Sequence, residues 1–225
     1  MKYSEDTLIK YGTVPWTINY QYYKLVDAFK RKDTTDILTT SANLGHYVAD
    51  AHVPLHLTQN YNGQLTNQTG LHAFWESRIP ELFANNYHYN VGKARYIENP
   101  LAEAFKICRA SFKEVDTVLR FERALNQTFP AGKKYVIERR GKKDVQEYSV
   151  EYSKAYQDRM RGMVERRMRA AILAVGSYWY SAWVDAGQPD LNKLIDKPLA
   201  GDELKKVQQE QALYKVGKVL VLAKP

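Results

Sequence analysis

Three of the five histidines in this 225-residue chain fall within the eleven residues HYVADAHVPLH, from His46 to His56, with Asp50 between them. His46 and Asp50 are four residues apart, so on a helix their side chains leave one face a turn apart and can converge on a single ion. His52 points to roughly the opposite side. Pro54 turns the chain, and such a turn can bring His56 back toward the face that His46 and Asp50 share. Downstream, His72 and Glu76 in HAFWE repeat the four-residue spacing. Neutral imidazole nitrogen and carboxylate oxygen suit zinc, which takes a nearly tetrahedral shell and keeps one position open for water when it is catalytic. The competing explanation is a polar patch without chemistry. Two spaced pairs joined by a histidine in a proline turn favour the metal, with His52 and His88 expected outside the cluster.

Other chemistries lack their residues. No Gly-x-Ser-x-Gly elbow and no phosphate-binding glycine-rich loop occurs, and Cys108 lies on an apolar stripe, where its role is packing. One cysteine excludes an internal disulfide. With 44% hydrophobic and 26% charged residues the chain has an ordinary globular composition, able to bury a core. No run reaches the roughly 18 apolar residues of a transmembrane segment. The longest candidate, Ala170 to Val184, is broken by Gly176, Ser177 and Ser181 and reads as a core helix. The opening MKYSEDTLIK lacks the apolar stretch of a signal peptide. A net charge of +8 favours contact with polyanions without specifying any chemistry.

Most of the chain is predicted to be helical. Pro15 suits a first turn, and Trp16, Tyr20, Tyr23 and then Val26 or Ala28 form an aromatic stripe on a helix ending near Lys30–Asp33. Asp33 is the expected N-cap of a second helix that Pro54 stops. The polar stretch from Leu57 to Gly70 marks a loop, and a short helix runs through HAFWESR to Pro80. Leu101, Phe105, Cys108, Phe112, Val115 and Leu119 recur at steps of four and three, as one amphipathic helix. A hairpin is expected over 133–149, its Arg139, Arg140, Lys142 and Lys143 forming a solvated tip. A last long helix is expected from about Val150 to Asp185, stopped by Gly187 and Pro189. The fold class is therefore all-α with one small hairpin. The expected organisation is a single domain over 1–190 and a polar, lysine-rich extension over 191–225, with a short helix around Asp202 to Tyr214.

The compound motif, HYVADAHVPLH followed by HAFWE, resembles that of the zinc-dependent phospholipase C and single-strand-specific nuclease superfamily, helical secreted enzymes that cleave phosphodiester bonds at a three-zinc site. The family pattern is His-x-x-x-Asp, then Pro-Leu/Met-His, then His-x-x-x-Glu/Asp, and its five positions fall on His46, Asp50, His56, His72 and Glu76. NYNGQLT and the helices up to about Pro189 are similar to the family's bacterial members. The resemblance implies one zinc on His56, His72 and Glu76, a second on His46 and Asp50, and a third reached by Asp50 as a bridge. It assigns Asp50 and Glu76 to the catalytic centre, and it implies a secreted or periplasmic protein. Four further family ligands, an N-terminal Trp amino group followed by His, Asp and His, have no counterpart before His46, so the chain is expected to begin inside the family's domain.

The expected function is hydrolysis of phosphodiester bonds in phospholipid or single-stranded nucleic acid, weakened by the missing ligands, with about one zinc well held. The alternatives are an inactive metal-binding remnant with a structural role and a basic, helical nucleic-acid-binding protein with incidental histidines. If the excess of 33 Lys and Arg over 25 Asp and Glu draws nucleic acid in, affinity for single-stranded DNA should fall steeply between about 50 and 200 mM salt, whatever the base sequence. A titration insensitive to salt would exclude that attraction.

Overall fold

A computed structural model describes residue 6, residues 12–194 and residues 201–216. The expectations about the opening residues and about parts of the lysine-rich tail fall on residues 1–5, 7–11, 195–200 and 217–225, which lie outside the described residues. In chain order the helices are α1 (Val14–Arg31), α2 (Thr34–Asp50), α3 (Leu71–Ala73), α4 (Ile79–Phe83), α5 (Pro100–Phe112), α6 (Val115–Thr128), α7 (Val150–Arg159), α8 (Met163–Asp185) and α9 (Gly201–Lys215). Strands β1 (Tyr135–Arg140) and β2 (Lys143–Tyr148) pair antiparallel, Tyr135 opposite Tyr148 and Arg140 opposite Lys143. The fold is thus mainly helical with one hairpin, as the sequence predicts. No helix among the described residues is long and apolar enough to cross a membrane.

The described residues form two compact units, one drawn from 1–52, 91–110 and 170–206, the other from 53–90, 111–169 and 207–225. In the first, Pro15 sits in the opening turn of α1, Lys32 closes it in a left-handed conformation at φ 57°, and the Asp33 carboxylate accepts from the Asp36 N–H at 3.0 Å to start α2. The buried face of α1 carries Ile18, Tyr22, Leu25, Val26 and Phe29. Of the aromatic stripe read from the sequence, Trp16, Tyr20 and Tyr23 are exposed, whereas Val26 and Ala28 are buried. Both sets have helical spacing, so periodicity alone does not choose between them.

Ser177 and Ser181, which interrupt the apolar run of α8, have a definite task. Their hydroxyls donate to the carbonyls of Leu173 and Ser177, at 2.7 Å each, and accept from the Arg95 and Ile97 N–H groups at 3.2 and 2.8 Å. The segment carrying Arg95 and Ile97 forms no regular ladder, so these hydroxyls satisfy backbone that burial would otherwise leave unpaired. Asp185 accepts from the Tyr22 and Tyr96 phenols at 2.6 and 2.8 Å.

The second unit encloses a core in which Phe74 stacks on Tyr148 and Tyr156 at ring-centroid distances of 3.8 and 5.0 Å, with Leu55, Leu71, Ile79, Val118 and Leu125 around them. Two predicted helices are broken. The stripe from Leu101 to Leu119 divides at Lys113–Glu114 into α5 and α6 and leaves Phe112 exposed. No Gly or Pro marks this break, and the apolar spacing carries across it. The helix expected from Val150 to Asp185 divides into α7 and α8 where Arg161 and Gly162 both take left-handed conformations, at φ 50° and 75°.

Glu122 of α6 is 1% exposed. Its carboxylate accepts from the Tyr152 phenol at 2.7 Å, from Lys134 Nζ at 3.1 Å and from Gln68 Nε2 at 2.5 Å. Burial, then the hydrogen bond to Glu122, holds the Tyr152 phenol well above its ordinary pKa. Replacing Glu122 by Ala strands a lysine and a phenol inside the unit, and should cost about 3–5 kcal/mol in urea denaturation. Removing the exposed Asp116–Arg120 pair should cost under about 1 kcal/mol. Equal losses would show that Glu122 is not a structural anchor.

Candidate metal centre

Each ligand-bearing side chain of the second unit is placed by a different device. Pro54 opens a 3₁₀ turn, Pro54–Leu57, whose Leu55 is fully buried, so His56 is presented at the surface beside a fixed anchor. His72 lies in α3. Glu76 lies in a π-helical turn, Phe74–Arg78, in which the Ile79 N–H reaches back to the Phe74 carbonyl. The helix was expected to stop at Pro80, yet it continues through α4 to Phe83. Pro80 has no N–H for the Glu76 carbonyl and its ring crowds that carbonyl, and the wider turn removes the conflict without ending the helix.

Arg78, buried at 4% exposure, holds this turn to the hairpin. Its Nε donates to the Tyr148 carbonyl at 3.0 Å, and its two terminal nitrogens grip both oxygens of Glu138 in β1, one of them at 3.0 Å.

His56, His72 and Glu76 meet. His56 Nε2 lies 3.3 Å from His72 Nε2 and 3.0 Å from Glu76 Oε1, and His72 Nε2 lies 2.9 Å from Glu76 Oε2. The imidazole rings are stacked, 5.0 Å apart and 9° from parallel, and the three side chains are 25–28% exposed. Among the described residues this is the one group of three that could hold a metal ion. Ligand atoms about 2.0–2.2 Å from a tetrahedral ion are separated by about 3.3–3.6 Å, so the triangle has to open by only a few tenths of an ångström to accept one.

Tautomer chemistry points the same way. His72 Nδ1 lies 3.2 Å from the Tyr61 carbonyl, which can only accept, so Nδ1 carries the hydrogen and a neutral ring turns the Nε2 lone pair toward Glu76. A lone pair facing a carboxylate oxygen at 2.9 Å needs a cation between or upon them, either a proton on the ring or a metal ion. A carbonyl fixing the far nitrogen of a ligating histidine is also how metal sites orient that ligand.

The remaining candidates are described within their own units. His46 and Asp50 belong to the first unit, where they pair at 3.2 Å across one turn of α2, His46 largely exposed. His52 is buried and its Nδ1 donates to the Val48 carbonyl at 2.7 Å, a satisfied structural histidine. His88 is exposed, and its backbone bonds to Glu165 and Arg169. No protein-family model, curated protein or solved structure gives a significant match to this chain.

Sequence reasoning treated Leu57 to Gly70 as a plain loop and so missed the groups that support the histidines. Asn62 Oδ1 accepts from the N–H groups of Gly70 and His72 at 3.1 and 3.4 Å. Gly63, at φ 74°, passes so close to Gln68 that a Cβ would stand 2.3 Å from its carbonyl oxygen. The density of Asn, Gln and Thr was the available signal, since such side chains bond nearby backbone.

Burial pushes the Glu76 carboxyl up, but hydrogen bonds and charge from His56 and His72 outweigh it and hold the group below the ordinary glutamate range. A carboxylate with a lowered folded-state pKa stabilises fully above its unfolded value, about 4.3, and loses that contribution as pH falls through the folded value. In chelator, wild type should therefore exceed Glu76→Gln in stability at about pH 5, and the gap should shrink on acidification below about 4.3. A gap that widens on acidification would contradict the ion-paired geometry.

Proposed function

We propose that this chain is a zinc-dependent hydrolase of phosphodiester bonds, of the phospholipase C and single-strand nuclease type, with one well-held zinc on His56, His72 and Glu76. The observation that carries this reading is the triangle of ligand atoms with the Tyr61 carbonyl behind His72. The donor set, two imidazoles and one carboxylate, is that of catalytic zinc sites that leave a fourth position open. The motif resemblance adds the reaction class and the substrates, phospholipid or single-stranded nucleic acid, together with secretion or a periplasmic location. Zinc in such a site supplies Lewis acidity toward a phosphoryl oxygen and acidifies water toward a pKa of about 7. His72, held in one tautomer, offers a fixed nitrogen, Glu76 supplies negative charge that balances the ion, and His56 closes the third side from a separate turn.

A structural, non-catalytic zinc is the second reading, because the described residues hold a single group of three ligands while His46 and Asp50 supply a pair. Hydrolysis with one ion lacks the second charge that a multi-zinc site places on the leaving oxygen, so turnover should be slow.

Elemental analysis of purified protein should find about one zinc per chain, lost in Glu76→Ala. Chelation should lower the melting temperature, since such a site contributes on the order of 10 kcal/mol when its ligands are organised only by folding. Weak phosphodiesterase activity that disappears in Glu76→Ala supports the hydrolase, whereas stoichiometric zinc with no turnover supports the structural role. Protein without zinc after reconstitution overturns both.

A further inference from the structure

His72 is held by a carbonyl in a loop, and a loop is a poor fixture unless something fixes it in turn. The chain of contacts behind the Tyr61 carbonyl can be followed to the core. Asn60, directly before Tyr61, is buried, and its side chain accepts from the Leu65 N–H at 2.8 Å and donates to Thr66 Oγ1 at 2.9 Å. The Thr66 hydroxyl lies 2.8 Å from Gln68 Oε1 and 3.2 Å from the Gly63 carbonyl, to either of which it can donate. The Gln68 amide nitrogen then donates out of the loop, to the Leu119 carbonyl at 2.8 Å and to Glu122 at 2.5 Å. Gln68 is 7% exposed, and both ends of its amide are engaged, oxygen toward the loop and nitrogen toward α6.

We propose that Gln68 is the positioning residue of the centre: by clamping the loop to Glu122 it holds the Tyr61 carbonyl on His72 Nδ1 and so fixes the tautomer and direction of the ligating ring. The part of this inference that concerns metal affinity rests on the zinc reading above; the part that concerns the tautomer does not. Gln68 touches neither His72 nor the other two ligands in any of these contacts, so its effect has to travel through Thr66, Asn60 and the Tyr61 backbone. The buried pair of Glu122 with Lys134, and the bond from Tyr152, do not pass through Gln68. Gln68→Ala therefore releases the loop and leaves that anchor standing, while Lys134→Met weakens the anchor and leaves the clamp in place.

The test compares wild type, Gln68→Ala and Lys134→Met, each first in chelator and then titrated with Co²⁺ and Zn²⁺. In chelator, with Glu76→Gln added to each protein so that no carboxylate faces Nε2, and at a pH where the imidazoles are neutral, ¹⁵N spectra should show the Nδ1–H form of His72 where Gln68 is present, Lys134→Met included, and a mixture of both tautomers in Gln68→Ala. With metal, Gln68→Ala should bind about tenfold more weakly and show altered Co²⁺ visible absorption, as expected when support of a ligating histidine is lost. Lys134→Met should lower the melting temperature while keeping wild-type affinity and spectrum. A Gln68→Ala protein with one His72 tautomer overturns the proposal, whatever its metal content. So does an equal loss of affinity in the two variants, which would mean that affinity follows stability alone. Tautomers as expected in the Glu76→Gln set, with wild type binding neither ion, overturn the zinc reading and the metal part of this inference and leave the positioning of His72 established.

Discussion

The second unit is organised by a carboxylate kept from water. A buried glutamate without partners would protonate or unfold its surroundings, so Glu122 imposes a demand that three separate segments must meet at once. Lys134 meets it from the residue before β1, Tyr152 from α7, and Gln68 from the loop before α3. These residues stand 12, 30 and 54 positions from Glu122 in the chain, and folding draws each to the same point. The aromatic core from Phe74 to Tyr156 supplies the bulk of the apolar burial, which is strong but indifferent to direction. The polar contacts at Glu122 add direction, fixing which segment lies against which.

The candidate centre inherits its order from that arrangement. His56 hangs from a 3₁₀ turn anchored by Leu55, His72 leans on a loop tied to α6, and Glu76 stands in a π turn held to the hairpin by Arg78. Three supports meet at ligand atoms separated by 2.9–3.3 Å. A site assembled on a single helix would need only local propensity. This one requires the second unit to be folded, which is why its ligands and its stability should be coupled.

Much of this was legible in the residues. The α1 and α2 boundaries follow from Pro15, the Asp33 cap and the turn at Pro54, and the hairpin from β-favouring runs flanking Gly141. His56, His72 and Glu76 were recognisable because metal chemistry restricts which side chains can serve. The breaks at Lys113–Glu114 and at Arg161–Gly162 were not, because apolar spacing carries straight across them. Which face of α1 is exposed was not legible for a related reason: Trp16, Tyr20 and Tyr23 are as periodic as the residues actually buried, and periodicity records a helix without recording its orientation. The supports of His72 were hidden more deeply. A polar loop advertises exposure, yet folding places Asn60 and Gln68 inside.

That His72 is oriented by a main-chain oxygen bears on how such a site can drift over generations. Every residue type offers the same carbonyl, and although the half-exposed Tyr61 ring also meets His72 edge-on at 6.1 Å, the hydrogen bond to Nδ1 does not depend on which side chain stands at position 61. What cannot vary is the count of residues from Asn60 to His72, because one insertion or deletion there would carry the oxygen away from the ring. The site is therefore written partly in loop length, a property that a motif of conserved letters does not record.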